Sequence, residues 1–175
     1  MARNISRVQF LRGNFSGHTL VIRPPWSVEE SVFTESCTRC NECLKVCETG
    51  ILVAGQGGFP EVNFSKGECS FCQQCAQICR EKIFNSVNKI PWQHVAIINE
   101  NCLSLKGIVC QVCGEQCESR AIRFKQQAGK IAQPVIDTDN CNGCGACSQP
   151  CPVSAIEFQQ IGDRDHMNQK LEAFS

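Results

Sequence analysis

Apolar residues in this chain come in short bursts, and no window reaches the 18 consecutive apolar positions of a membrane-spanning helix. Four bursts are pairs: Ile51-Leu52, Ile83-Phe84, Ala121-Ile122 and Ala155-Ile156. Three others are extended: Val62-Asn-Phe64, Val95-Ala-Ile97-Ile98 and Val135-Ile136. Between burst and pair lies a polar, cysteine-bearing stretch. The pattern predicts units of strand, loop, one short helical turn and a second strand such as Ala121–Phe124 or Ala155–Phe158. Recurrence of the unit marks a repeat architecture, with the apolar pairs as its core.

Two flanking stripes have helical spacing. Ile5, Val8, Leu11 and Phe15 form one, interrupted by Arg12; Met167, Leu171 and Phe174 form the other. Packing on the chain's own core is the plain reading of both, and contact with a partner is the alternative. Arg23-Pro-Pro-Trp26 is stiff and extended. It either braces the first cysteine-bearing units or presents Trp26 to a partner.

Composition sharpens the picture. The hydrophobic fraction of 42% includes 16 cysteines among 175 residues, so the ordinary core is thin. Seventeen basic residues balance seventeen acidic ones, which argues against nucleic acid or an anionic membrane as the main partner. Arg3 and Arg7 are not adjacent and no continuous apolar stretch comes after them, so the expectation is a cytosolic protein without a membrane span. In that compartment abundant cysteine favours metal over disulfides.

Spacing then selects the metal. Cys37-x2-Cys40-x2-Cys43-x3-Cys47 is the bacterial ferredoxin run; Cys69, Cys72, Cys75 and Cys79 repeat it, as do Cys141, Cys144, Cys147 and Cys151. The remaining set is irregular, with Cys102-x7-Cys110-x2-Cys113-x3-Cys117. Three thiolates at three-residue steps wrap three corners of a [4Fe–4S] cube, and the fourth corner is filled from another run. Structural zinc, the competitor, uses two separated pairs and leaves the third step without a task. Gly143, Gly145 and Ala146 leave room for backbone N–H groups to face sulfur.

The expected fold is α+β, as tandem bacterial-ferredoxin-like modules built from four cysteine-rich units around iron–sulfur clusters. An N-terminal arm (1–36) precedes a first module (37–84), a linker (85–92), a second module (93–160) and a C-terminal tail (161–175). Ligands cross within each module. Cys37, Cys40, Cys43 and Cys79 form the first set; Cys69, Cys72, Cys75 and Cys47 form the second. Cys102, Cys110, Cys113 and Cys151 form the third; Cys141, Cys144, Cys147 and Cys117 form the fourth. The regular runs predict three clusters and the irregular run a fourth, unless Cys102 is no ligand and that cluster is incomplete.

Several stretches together resemble one known family: Ile22-Arg-Pro-Pro-Trp-Ser27, Cys37-Thr-Arg-Cys40, Gly57-Gly-Phe-Pro-Glu-Val-Asn-Phe64 and Glu68-Cys-Ser-Phe-Cys72. Cys141-Asn-Gly-Cys-Gly-Ala-Cys147 and Cys151-Pro-Val-Ser-Ala-Ile156 continue the match. The chain is similar to the NapF family, ferredoxin-type accessory proteins of the periplasmic nitrate reductase system. That resemblance implies a cytoplasmic protein whose partner is the precursor of the nitrate reductase catalytic subunit, and a role in its maturation by cluster assembly or electron supply before export. A soluble electron carrier serving another reductase is the alternative.

No catalytic constellation accompanies the cysteines. His18, His94 and His166 are scattered and read as surface or satisfied core residues. Gly55-Gln-Gly-Gly58 lacks the Lys-Ser/Thr of a phosphate loop and reads as a turn. No dinucleotide fingerprint occurs, so redox activity falls to the clusters alone.

Overall fold

The computed structural model describes residues 21–87 and 91–160. Both flanking stripes, His18 and His166 lie outside the described residues. Within them the architecture is α+β, made of short helices and three two-stranded antiparallel sheets.

In the first half, helix α1 (Glu30–Ser36) leads to α2 (Glu42–Lys45), then to the hairpin of β1 (Leu52–Ala54) and β2 (Pro60–Val62). A 3-10 turn at Gln56–Gly58 closes that hairpin, as the glycines predict. Helix α3 (Gln74–Ile78) comes next. In the second half, β3 (His94–Ile98), α4 (Val112–Glu115), the hairpin of β4 (Ile122–Gln127) and β5 (Lys130–Ile136), and β6 (Ile156–Gln160) succeed one another in order. Strands β3 and β6 pair around β4–β5, with Ile98 opposite Ile156 and Ala96 opposite Phe158.

A common turn launches the strands. Gly50, Arg120 and Ser154 each lie three residues past a run's last cysteine, have positive φ, and donate N–H to that cysteine's carbonyl. The chain reverses there and delivers Ile51-Leu52, Ala121-Ile122 and Ala155-Ile156 to the core, where all six are buried. Ile83-Phe84 differs. It forms no strand, only an isolated bridge between Ser27 and Phe84: the Val28 N–H donates to the Ile83 carbonyl, and the next residue, Asn85, donates its N–H to the Trp26 carbonyl. Nor does the fourth run form a helix; residues 146–150 are turn.

Residues 22–33 are part of this packing. Ile22, Trp26 and Phe33 are buried, and Arg23 joins the stretch to the first hairpin. Its guanidinium meets Glu30 at 2.6 Å, donates to the Pro60 carbonyl at 3.0 Å, and lies over the rings of Phe33 and Phe59. Trp26 therefore braces the fold rather than projecting from it.

Candidate metal centres

The third cysteine of every run, Cys43, Cys75, Cys113 and Cys147, is buried, and the others are partly or largely exposed. Burial first, then the negative charge of neighbouring cysteines, pushes Cys43 and Cys113 up to about 11 and Cys75 and Cys147 up to about 12. These thiols keep their protons at neutral pH unless a cation replaces them, so metal binding here releases protons. Irregular spacing does not set Cys113 apart from its counterparts.

The charges acting on the buried thiols follow nearness: Cys69, Cys43 and Cys72 act on Cys75, and Cys47 acts on Cys69. Cys37, Cys40 and Cys79 act on Cys43; Cys102, Cys110 and Cys151 act on Cys113. Cys141, Cys144 and Cys117 act on Cys147, together with Cys113. Three hollows have the same grouping. One is lined by Cys37, Cys40, Cys43 and Cys79; another by Cys47, Cys69, Cys72 and Cys75; a third by Cys102, Cys110, Cys113 and Cys151. They enclose about 370, 360 and 350 Å³, part of it open to solvent. Among the described residues no three Cys, His, Asp or Glu side chains converge on a single-ion position. The thiols stand around space rather than around a point, with apolar walls such as Phe33, Leu52 and Ile98.

Backbone geometry suits an anionic guest. In the regular runs the residues on either side of the second cysteine are left-handed: Arg39 and Asn41, Phe71 and Gln73, Gly143 and Gly145. Four of these six carry side chains, at a cost of roughly 1–2 kcal/mol each. Such conformations let neighbouring N–H groups face a concavity that receives negative charge, although in the fourth run the Cys144 N–H donates to Asn142 Oδ1 at 3.1 Å. Phe71 donates N–H to Cys69 Sγ at 3.4 Å, and Ala155 to Cys151 Sγ at 3.2 Å. Two hydroxyls add to this: Thr49 Oγ1 stands 3.6 Å from Cys47 Sγ, and Ser119 Oγ 3.4 Å from Cys117 Sγ. Against a thiolate only the hydroxyl can donate.

The irregular run reaches its place by a different route. Gln111 has φ −132°, so the left-handed pair is missing there. Instead the extra residues loop out through Gly107, which has φ +82°. The Ile108 N–H closes on the Leu103 carbonyl, and buried Ser104 donates its hydroxyl to the Cys110 carbonyl. Leu103 lines the hollow, while Leu105, Ile108 and Val109 are exposed. The insertion leaves Cys102 beside Cys110. Ser104, Thr49 and Ser119 are invisible to a reading of cysteine spacing alone; a hydroxyl two residues past the last cysteine of two runs is the signal that could have found the latter two.

His94 is buried and tied to the fourth run. Its Nε2 lies 3.0 Å from the Gly143 carbonyl, so Nε2 carries the donated proton. Burial holds its pKa below the ordinary value.

Comparison with known proteins points to iron–sulfur chemistry. The 4Fe-4S dicluster domain family matches residues 106–155. Over 168 residues the chain is 49% identical to the ferredoxin-type protein NapF of Haemophilus influenzae, covering 90% of this chain and 96% of that protein. It is 44% identical to the ferredoxin-type protein NapF of Escherichia coli K12, covering 92% of this chain and 98% of that one. A methylamine utilization ferredoxin-type protein, MauM of Methylophilus methylotrophus, is 28% identical over 81% of this chain and 70% of its own length. The cysteine groups, the strands that follow them and these relatives lead to one assignment: the chain belongs to the NapF family of ferredoxin-type proteins and is a [4Fe–4S] iron–sulfur protein.

Proposed function

We propose that this chain is a cytoplasmic iron–sulfur accessory protein that binds the precursor of the periplasmic nitrate reductase catalytic subunit and assists its maturation before export. It is not itself an enzyme. Four cysteine-rich units in two modules hold four clusters on the four crossed cysteine sets, Cys102 included. When bound, each cluster stores or releases one electron. The residues supply four thiolates per set, N–H groups such as those of Phe71 and Ala155 directed at sulfur, and apolar walls.

The grouping of Cys102 with Cys110, Cys113 and Cys151 around one hollow is the observation that carries the fourth cluster. The link to nitrate reductase is supported by the NapF relatives. Cells lacking the protein, compared with normal cells at equal levels of the exported catalytic subunit, test the role. The expected result is a subunit short of cluster iron and activity; a fully clustered, fully active subunit overturns it.

Electron carriage for another reductase is the second reading. The Cys69 N–H donates to the Cys144 carbonyl at 2.9 Å, joining the two modules at their cysteines.

A further inference from the structure

The two modules meet through a small joint. Phe64, just ahead of the second run, places its ring against Gly145; a Cβ there would sit 2.0 Å from the ring. The same ring packs on Phe158 at 4.5 Å and edge-on to Trp92 at 5.8 Å. His94 holds the other side of the loop through Gly143. Between these supports, the Cys69 amide donates to the Cys144 carbonyl at 2.9 Å. A cysteine of the second set thus touches a cysteine of the fourth through main chain alone, and Phe64 allows only glycine at 145.

We infer that the Cys69–Cys144 contact is the electron crossing between the modules, so that the four sets form one path in the order first, second, fourth, third. This rests on the proposed crossed ligand sets. Covalent and hydrogen-bonded backbone links the two thiolates without a gap, and the buried side chains of Phe64, Trp92 and His94 pack beside the joint. One electron leaves the second-set side, which is oxidised by one, and enters the fourth-set side, which is reduced by one. No bond forms or breaks and no proton has to move. A one-electron donor protein at one end of the path refills it, and a one-electron acceptor protein at the other end drains it. The order puts the third set, with its exposed Leu105, Ile108 and Val109, at one terminus.

Full-length protein carrying Cys40→Ala and Cys110→Ala tests the crossing by iron content and by electron paramagnetic resonance after reduction with dithionite. Iron falling by about half, to about eight per chain, supports the ligand sets; any other count overturns the sets themselves and is read before the spectrum. With the second and fourth sets alone loaded, the inference expects a spectrum broadened by spin–spin interaction. Two isolated S = 1/2 signals overturn the crossing while leaving the sets intact. If the double variant does not accumulate, Cys40→Ala alone answers the question. The second set has then lost its neighbour within the module, and the expected result is that every remaining signal still shows interaction. One isolated signal among the three overturns the inference.

Discussion

Ser104 donates its hydroxyl to the carbonyl of Cys110 from a position only 2% exposed. This bond ties together the two ends of an insertion that the regular runs lack, and it holds Cys102 within reach of the third set. Replacing it with Ser104→Ala leaves a carbonyl without its partner, at a cost of about 1–3 kcal/mol. The expected consequence is local: about four irons per chain become labile to a chelator, and the rest leave at the normal rate. Timed iron release from the anaerobic protein checks it. Uniform acceleration of all the iron contradicts it.

Left-handed side chains next to the second cysteines are a reservoir of strain. Gln73 has φ +66° at the start of α3, and glycine adopts that conformation freely. Gln73→Gly is expected to raise unfolding stability by about 1 kcal/mol with unchanged iron. Gly145→Ala runs the other way. It adds a Cβ at φ +88° against the Phe64 ring and is expected to cost about 2 kcal/mol or more. Denaturant unfolding under anaerobic conditions measures both.

His94 makes stability depend on mild acid. Its pKa is lower in the fold than the ordinary 6.5, chiefly through burial. The unfolded chain therefore takes up a proton before the folded one does. His94's contribution is complete above pH 6.5 and declines as pH falls from there through the lowered value. His94→Gln keeps a donor for the Gly143 carbonyl without the titration. Unfolding midpoints between about pH 5 and pH 8 are expected to fall more steeply for the natural protein than for the variant.

Trp26 is 5% exposed and stands edge-on to Phe71, which lies between Cys69 and Cys72. Trp26→Ala is expected to cost about 3–5 kcal/mol and to make iron of the second set chelator-labile. Unfolding and iron release measured together decide it. Normal stability and iron with weakened binding of the nitrate reductase precursor would instead mark Trp26 as a docking residue.

Much of the architecture is legible because ligand spacing and apolar pairing are local. The pairs after Cys47, Cys117 and Cys151 lead into β1, β4 and β6, since one turn geometry launches all three. Ile83-Phe84 has the same pattern but no strand, because a distant segment around Trp26 claims its bonds. Pattern within a unit cannot report that competition. Strain at Arg39, Phe71 and Gln73 is equally hidden, as those residues suggest no positive φ; Asn41, and Gly143 and Gly145 at the matching places of the fourth run, are the clue. The contact between the second and fourth runs arises from single contacts of Phe64, Gly145, Cys69 and Cys144, far apart in the chain and without periodicity. As for the irregular run, its outcome depends on a loop closing on itself, and Ser104 at the closure point is one polar residue among many.

The central claim is four clusters on four crossed sets, and iron with acid-labile sulfide per chain tests it most directly. Protein purified without oxygen is predicted to hold about sixteen of each, dropping by about four of each in Cys102→Ala. About twelve of each in the natural protein, with no change in Cys102→Ala, or stoichiometric zinc in a colourless protein, would contradict it.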